Sequence, residues 1–188
     1  MPRKIGAINA LYPMPVVIVG AVVKDKPNFI TVAHVGILNA SPPHLVSIGL
    51  GKVHYTNQGI REAQCFSINI PSEALLRKAD YVGIVSGRKV DKSRVFESSP
   101  GEMTKAPLIK DCPVGMECKV VNTLDLPTHD VFIAEIMATY ADESVLTDGR
   151  IDIAKLKPLL FDMSSRKYWS LGPAVGDCWD VGKKMEGD

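Results

Sequence analysis

Short runs of β-branched and other apolar residues, separated by turn-forming residues, recur along the chain. Runs of this length and composition are typical of β-strands, because branched side chains pack well on a pleated surface. Residues 16–23 and 29–33 are two such runs, and the Lys-Asp-Lys-Pro-Asn segment between them is a turn. The pattern therefore predicts a β-hairpin and a mainly β fold.

The remaining runs extend this prediction to a sheet of several strands. Further strands are expected at residues 45–50, 65–70, 116–121 and 131–140. Residues 86–103 are polar and contain Ser, Gly and Pro, so we expect a long loop, which in compact domains is often functional. No linker stands out, and we therefore expect one domain over residues 1–188, an antiparallel barrel with helical additions.

Two helices are expected where the alternating pattern stops. Thr56 is a candidate N-cap for a helix over residues 57–63, and Ser72 for one over residues 73–81, because Ser and Thr are favoured at that position. Residues 145–157 are expected to form a short helix or an excursion, with a turn at its Asp-Gly pair.

Composition excludes several classes of function. The chain has 188 residues, 46% of them apolar and 23% charged, which is typical of a globular domain with a real core. A net charge of +1 and sparse aromatic residues argue against nucleic-acid or membrane-surface binding. Residues 16–23 are too few to span a membrane, and no signal-peptide pattern is present, so we expect a cytoplasmic protein without a membrane partner.

The four cysteines do not form a metal-binding pattern. Cys65, Cys112, Cys118 and Cys178 include no pair at CxxC spacing, and no histidine lies at zinc-finger distance. We therefore predict no metal site and expect free thiols in a reducing compartment, with a close approach of Cys112 and Cys118 as the alternative.

The most specific pattern is an ordered series of motifs. Residues 31–43 run Thr-Val-Ala-His-Val-Gly-Ile-Leu-Asn-Ala-Ser-Pro-Pro, with a Thr at a strand end and a Pro-Pro pair that opens the next strand. The other motifs are Tyr-Pro-Met-Pro at 12–15, Tyr-Thr at 55–56, Phe-Ser-Ile-Asn-Ile at 66–70, Ser-Gly-Arg-Lys at 86–89, His129 and Tyr168. Over residues 10–183, this series resembles the FMN-binding split-barrel flavin reductases, and especially their flavoredoxin branch.

The resemblance implies a fold and a cofactor. The fold would be a six-stranded antiparallel Greek-key split β-barrel with a few flanking helices. The protein would be a homodimer with one FMN per subunit near the dimer interface. The flavin, rather than a protein nucleophile, would carry hydride or electron transfer, so no catalytic side chain is expected.

The resemblance also implies which residues contact the flavin ring. Backbone groups at strand ends suit the hydrogen-bonding edge of the ring, and small side chains let the backbone come close. The expected ring contacts are Thr31, Val32, Ala33, His34, Asn39 and Ala40, and Asn28 is a further expected cofactor-binding residue of this segment. The alternatives are a plain strand with a solvent-facing threonine and, for His34, an ordinary surface histidine.

The phosphate of FMN requires donors and positive charge. A helix N-terminus supplies both, and His54, Tyr55 and Thr56 lie at such a start. Lys89 is the second candidate, with Ser86 as a companion, although a charge run such as residues 88–94 is also typical of a solvated loop. An ordinary N-cap remains the alternative for Thr56.

His129 and Tyr168 complete the candidate site. His129 could neutralise the anionic edge of a reduced flavin, or it could be a simple turn residue. In the reductases a Gly-Asp-His stands at this position, whereas this chain has Pro-Thr-His, which leaves nicotinamide use open. Tyr168 would close over the site or, alternatively, anchor the core or a dimer interface.

Three functional hypotheses follow. The first is a flavin oxidoreductase that takes electrons from NADH or NADPH. The second is an FMN-holding electron carrier that accepts electrons from a redox protein partner and has no NAD(P)H activity. A barrel that binds some other ligand is the third hypothesis, and it requires every ordered motif to be accidental.

Overall fold

The computed structural model describes residues 1–183. The fourteen strands are β1 (Met14–Pro15), β2 (Val17–Val23), β3 (Lys26–Val32), β4 (Val35–Asn39), β5 (Leu45–Gly51), β6 (Cys65–Ile70), β7 (Ser98–Pro100), β8 (Pro107–Ile109), β9 (Val114–Asp125), β10 (His129–Ala141), β11 (Leu146–Thr147), β12 (Arg150–Ile151), β13 (Leu160–Asp162) and β14 (Lys167–Trp169). The helices are α1 (Thr56–Ala63), α2 (Leu76–Ile84) and α3 (Ile153–Leu156). None of the described helices has the length and apolar character needed to cross a membrane.

Seven strands form the central sheet, in the order β3-β2-β6-β9-β10-β5-β4, and every neighbouring pair is antiparallel. Ile30 in β3 and Ile48 in β5 lie far apart in this order, yet both belong to one buried cluster with Phe66 and Phe132. The sheet therefore curls around a single apolar core, as in a barrel.

The predicted mainly β fold is confirmed, and its central sheet has one strand more than the six expected. The prediction for residues 65–70 matches β6, and the other predicted strands are present with shifted ends. The additional strand is β4, which pairs with β5 at the edge of the sheet and leaves Ile37 78% and Leu38 54% exposed. Its sequence lacks a buried alternation, so β4 owes its conformation to pairing with β5 rather than to a local pattern.

The predicted helix caps are wrong in detail. Helix α1 begins at Thr56 itself, with Tyr55 at the N-cap position and no side-chain cap. Thr56 is buried, and its Oγ1 accepts a hydrogen bond from Asn28 Nδ2 at 2.8 Å, so the hydroxyl is used in a long-range contact. Ser72 also makes no side-chain cap; it precedes a 3₁₀ turn that leads into α2.

The excursion expected near the C-terminal end is present. A 3₁₀ turn, the β11–β12 hairpin and helix α3 follow one another, and the Asp148-Gly149 pair forms the turn of the hairpin. Asp152 caps α3 by accepting hydrogen bonds from the backbone N–H groups of Ala154 and Lys155. This segment packs on the barrel through Val145 and Leu156, which are buried with Val114.

A small second sheet faces the barrel. Strands β1, β13 and β14 form it, in the order β1-β13-β14. A second buried cluster lies beside the barrel and includes Phe29, Phe96 and Val82, with the two phenylalanine rings 5.4 Å apart and edge to face. Helix α2 contributes to this cluster and contacts β3. Strand β3, helix α2 and the small sheet together enclose a cavity.

The four cysteines are free thiols, three of them buried. Burial raises the pKa of Cys112 and Cys118 to about 12, and it also raises the pKa of Cys65. Cys178 is exposed.

Candidate functional site

Three adjoining cavities run along one side of the barrel. The first, the large cavity, has a volume of about 450 Å³ and lies between the barrel and the small sheet. Its barrel side consists of residues 30–34, residues 49–51, His54 and His129. Its other walls are Met14, Val16, Asp80, Gly83, Ile84, Phe161, Met163, Arg166 and Tyr168.

The other two cavities continue toward the β2–β3 turn. The helix cavity, of about 310 Å³, surrounds the start of α1 and is lined by Ile30, residues 53–56, residues 83–87 and Lys92. The basic cavity, of about 340 Å³, is lined by residues 23–24, residues 26–28, Tyr55 and residues 87–92.

Shared walls join the three cavities into one groove. The large and helix cavities share Ile30, His54, Gly83 and Ile84. The helix and basic cavities share Tyr55, Gly87 and Lys92. The volumes are in the range of small-molecule binding sites, so the groove as a whole offers room for an extended ligand.

Twelve of the fourteen residues predicted from the sequence line this groove. Seven line the large cavity: Thr31, Val32, Ala33, His34, His54, His129 and Tyr168. The helix cavity adds Tyr55, Thr56 and Ser86, and the basic cavity adds Asn28 and Lys89.

Asn39 and Ala40 are the two that the structure does not bring to the groove. They lie at the end of β4, at the far edge of the sheet, and both are exposed. The Asn39 side chain donates to the carbonyl oxygens of Ser41 at 2.9 Å and Pro43 at 2.8 Å, so it stabilises the turn before β5.

The backbone of β3 is available to a ligand along one edge. Strand β3 is the first in the sheet order, so only its β2 side forms a ladder. The hydroxyl of Thr31 donates to the carbonyl of Ala79 in α2, which ties the strand to that helix. Hydrogen-bonding groups of an unpaired strand edge are the kind that recognise the edge of a planar heterocycle.

Glycines keep the wall of the large cavity flat. A Cβ atom on Gly83 would lie 3.2 Å from the Cβ of Thr31, and one on Gly49 would lie 3.2 Å from the Cβ of His34. Both distances are tighter than ordinary van der Waals contact. A larger residue at either position would push neighbouring groups into the space that a ligand needs.

Three of the four histidines gather at the large cavity. The rings of His34 and His129 are 5.4 Å apart, and His129 Nδ1 lies 2.8 Å from Thr128 Oγ1. Burial lowers the pKa of His54, and the positive charge of Lys92 and the nearby His129 lower it further. His54 is therefore neutral at neutral pH and offers one ring N–H donor and one acceptor.

The start of α1 has fewer free backbone donors than an ideal helix N-terminus. The backbone N–H of Asn57 donates to the carbonyl oxygen of His54 at 3.4 Å. That of Gln58 donates to the carbonyl oxygen of Tyr55 at 3.2 Å. The Thr56 hydroxyl oxygen accepts from Asn28, which leaves its own proton free to donate. The helix start can thus offer one hydroxyl donor and the positive end of the helix dipole.

Lys92 is the principal residue that the sequence did not identify. It is only 4% exposed, and its Nζ donates to the carbonyls of Phe29 at 3.0 Å and Val82 at 2.7 Å. Burial lowers its pKa to about 8. A buried lysine within a polar run has no sequence signature, because its partners lie on β3 and at the end of α2.

The loop before Lys92 is held close to the barrel. A Cβ atom on Gly87 would collide with Asn28 Oδ1 and lie 2.8 Å from Cδ1 of Tyr55, so only glycine fits there. The guanidinium carbon of Arg88 lies 5.2 Å from the centre of the Tyr55 ring, within the range of a cation–π contact. The neighbouring Lys89 is exposed at the mouth of the basic cavity.

The small sheet supplies the outer wall of the large cavity. Tyr168 Oη donates to Asp80 Oδ1 at 3.0 Å, and the Tyr168 ring lies 5.6 Å from that of Phe161. Burial and the adjacent carboxylate raise the pKa of Tyr168 to about 12. The sequence did not predict the site residues Asp80, Phe161, Met163 and Arg166. Nothing local marks which residues of α2, β13 and the β13–β14 turn face this cavity.

Comparison with known proteins begins with a family model. The model described as "Flavin reductase like domain" matches residues 9–170. A curated relative, an uncharacterised protein of Archaeoglobus fulgidus, is 30% identical over 152 residues, which cover 79% of this chain and 84% of the relative.

Two solved structures are similar over almost their whole length. A flavoredoxin from Methanosarcina acetivorans superposes with a TM-score of 0.95 and 42% identity, covering 98% of this chain and 99% of that one. The flavoredoxin of Desulfovibrio vulgaris (Miyazaki F) has a TM-score of 0.89 and 36% identity, covering 97% of this chain and 100% of that one. The resemblance inferred from the ordered motifs is thereby confirmed.

Proposed function

The chain belongs to the flavin reductase-like domain family and is an FMN-binding flavoprotein, and we propose that its FMN lies along the groove of three joined cavities. Bound FMN supplies hydride or electron transfer, whereas the protein supplies binding, orientation and electrostatics. The observation that carries this proposal is the continuity of the groove, which contains twelve of the fourteen predicted residues.

The residues of the groove fit the two chemically different ends of FMN. The large cavity has a flat, glycine-lined wall, an unpaired strand edge and several apolar and aromatic side chains, which suit a planar ring. The basic cavity has cationic side chains, which suit a phosphate. The helix cavity connects them and suits the linking chain.

In this proposal, the ring contacts residues 31–34 through the backbone edge of β3. His129 lies where it can neutralise negative charge on a reduced ring, with His34 beside it. Tyr168 covers the ring from the small sheet, in a position fixed by its hydrogen bond to Asp80. Asn39 and Ala40 have no part in the proposal, because they lie outside the groove.

The phosphate contacts the junction of the helix and basic cavities. Thr56 donates its hydroxyl proton there, with Tyr55 and Ser86 as neighbours, and Lys89 supplies an exposed cation. Lys92 supplies a second, buried cation that belongs to both cavities. A buried amine close to an anion is effective because little water is present to screen the pair.

Electrons reach the flavin from NADH or NADPH in the main form of the proposal. The open large cavity supports it, because a second ring must stack within reach of the flavin for hydride transfer. A protein donor is the alternative, in which the same holoprotein acts as a carrier. Cytoplasmic localisation remains part of the proposal, consistent with the free thiols.

A homodimer is the proposed assembly. Strand β4 is an edge strand with one unpaired backbone side, and its Ile37 and Leu38 are exposed. Exposed apolar edge strands are pairing or packing surfaces. We therefore expect Ile37→Lys to shift the mass measured by light scattering from that of two chains to that of one, with Ile151→Lys as the control at another exposed isoleucine. A monomeric unsubstituted protein would contradict the dimer.

The test of the function begins with the purified protein. We expect a yellow protein, or a colourless one that takes up one FMN per chain with quenching of flavin fluorescence. A chain that takes up no FMN would contradict the proposal. Anaerobic addition of NADH or NADPH should then bleach the bound flavin. Bleaching only by dithionite or by a protein donor would favour the electron carrier.

A further inference from the structure

The basic cavity carries more positive charge than one phosphate requires. Its lining includes five cationic side chains and a single carboxylate, although the whole chain has a net charge of only +1. The cations are Lys24, Lys26, Arg88, Lys89 and Lys92, and the carboxylate is Asp91. A phosphate monoester carries about two negative charges at neutral pH, so this carboxylate and one FMN phosphate together offset about three of the five positive charges.

The carboxylate is already engaged. Asp91 accepts hydrogen bonds from the backbone N–H and hydroxyl of Ser93, at 3.1 and 2.6 Å, and Lys26 Nζ lies 3.2 Å from it. These contacts lower the pKa of Asp91, so it is ionised and paired with Lys26. Within residues 1–183, no acidic side chain forms an ion pair with Lys24, Arg88 or Lys89.

The cations divide between the two ends of the basic cavity. Lys92 also lines the helix cavity and therefore lies at the FMN phosphate. Lys24, Lys26, Arg88 and Lys89 line the basic cavity alone. Lys26 is paired with Asp91, and Lys89 is assigned to the FMN phosphate, so Lys24 and Arg88 remain without a counter-charge after FMN has bound.

Arg88 has the geometry to recognise a second phosphate. Its guanidinium lies against the Tyr55 ring at 5.2 Å, and its backbone N–H donates to Ser86 Oγ at 3.3 Å. A guanidinium placed against a ring keeps its N–H edge free for the bidentate pairing that phosphates prefer. Because Gly87 has no Cβ atom to collide with Asn28, the loop that carries Arg88 lies close to the barrel.

We propose that the basic cavity contains a second phosphate site, separate from that of FMN, which takes a phosphate monoester carried by the electron donor. NADPH carries such a group at its ribose 2′ position and NADH does not, so the site selects NADPH. This inference rests on the proposed function, because it requires FMN in the groove. A cavity of about 340 Å³ favours a small phosphorylated molecule over the surface of an acidic protein.

The experiment uses the FMN-loaded protein and ligands that do not react. Calorimetric titration compares 2′,5′-ADP with 5′-AMP, which differ only in the 2′-phosphate, and inorganic phosphate is titrated separately. We expect 2′,5′-ADP to bind at least tenfold more tightly than 5′-AMP, and inorganic phosphate to compete with it. Arg88→Gln should weaken 2′,5′-ADP binding at least fivefold, and Lys24→Gln should weaken it to a smaller extent.

Arg150→Gln is the matched control, because Arg150 is exposed, lines none of the three cavities and forms no ion pair within residues 1–183. It should leave the affinity for 2′,5′-ADP within twofold of the original. Flavin absorbance measures FMN occupancy in every sample and should remain one FMN per chain in Arg88→Gln and Lys24→Gln.

Several outcomes would overturn the inference. Equal affinity for 2′,5′-ADP and 5′-AMP would remove the phosphate selectivity, and an unchanged affinity in Arg88→Gln would remove Arg88 from the site. Loss of FMN from Arg88→Gln alone would assign Arg88 to the flavin phosphate instead. Salt-sensitive binding of an acidic ferredoxin, without binding of 2′,5′-ADP, would assign the surface to a protein. Failure of the unsubstituted chain to bind FMN would contradict the proposed function itself.

Discussion

The two ends of the groove are built by different means. The large cavity is enclosed by the ends of barrel strands and by a second sheet, so its shape is fixed by backbone pairing. The basic cavity is enclosed by a β-turn and a loop, and half of the twelve residues that line it are charged. One end therefore recognises a ligand by shape and backbone hydrogen bonds, and the other recognises it by charge.

This difference predicts how each end responds to substitution. Shape is disturbed by added atoms, whereas charge is disturbed by removal of a cation, by pH or by salt. Riboflavin, which has the ring and linking chain of FMN but no phosphate, measures binding without the contribution of the phosphate contacts. A change confined to the phosphate contacts should therefore alter the affinity for FMN but not that for riboflavin.

The largest effect is expected where the two ends meet. Gly87→Val adds atoms that collide with Asn28 and Tyr55, so the loop with Arg88 and Lys89 must move away from the barrel. Overpacking of this kind costs about 2 kcal/mol, and we expect FMN affinity to fall about 30-fold in a fluorescence titration. Gly172→Val is the control, because nothing lies within 4 Å of a Cβ atom there. Equal losses in both variants would contradict the explanation.

Removal of one exposed cation should have the next largest effect. Lys89→Ala is expected to weaken FMN binding about tenfold, since a hydrogen bond to a charged group contributes roughly 1.5 kcal/mol. Riboflavin affinity should stay within twofold, and Arg150→Ala, at an exposed arginine outside the three cavities, should change neither affinity. An unchanged FMN affinity would remove Lys89 from the phosphate contacts.

A pH dependence should distinguish the buried cation from the exposed one. Burial lowers the pKa of Lys92 to about 8, and a bound phosphate raises it again because it favours the charged amine. FMN therefore binds most tightly below that pKa, where the amine is already protonated, and its affinity should fall several-fold between about pH 7 and 9.

The control for this titration is Lys92→Met, whose folding is checked by circular dichroism. In the folded variant, the decrease in FMN affinity between about pH 7 and 9 should disappear. Riboflavin binding should vary much less over the same range. A pH profile that persists in Lys92→Met would assign the titration to another group.

The smallest effect on ligand binding is expected at the outer wall of the large cavity. Tyr168→Phe removes the hydrogen bond to Asp80 but keeps the ring. We expect the free energy of unfolding to fall by about 1 kcal/mol in urea denaturation, with FMN and riboflavin affinities both within twofold. A loss of FMN affinity without a loss of stability would show that the hydroxyl contacts the ligand.

Local sequence patterns were sufficient for most of the barrel. Both ends of strand β6 were predicted correctly. Five of its six residues are buried, and its sequence is typical of a strand and is followed by a proline. Strand β4 was missed because its conformation depends on β5, with which it pairs through an irregular register. Thr56 was assigned as a cap because the local pattern does not show that Asn28 reaches its hydroxyl from β3.

The same distinction applies to the groove. The order of the motifs identified residues that belong to a continuous sequence motif, such as residues 31–34. It could not identify Lys92, whose amine contacts the carbonyl of Phe29, 63 residues earlier. Nor could it identify Asp80, whose contact with Tyr168 joins positions 88 residues apart. Contacts of this range follow from the packing of α2 and the small sheet, which no local pattern encodes.

The buried thiols give the chain an intrinsic measure of its own unfolding. Thiol reagents react with the thiolate, and a thiol with a pKa of about 12 is ionised in roughly one molecule in 10⁵ at neutral pH. Cys65, Cys112 and Cys118 are also shielded from solvent, whereas Cys178 is exposed. The native chain should therefore consume one equivalent of an alkylating reagent rapidly, and the other three only as the barrel opens.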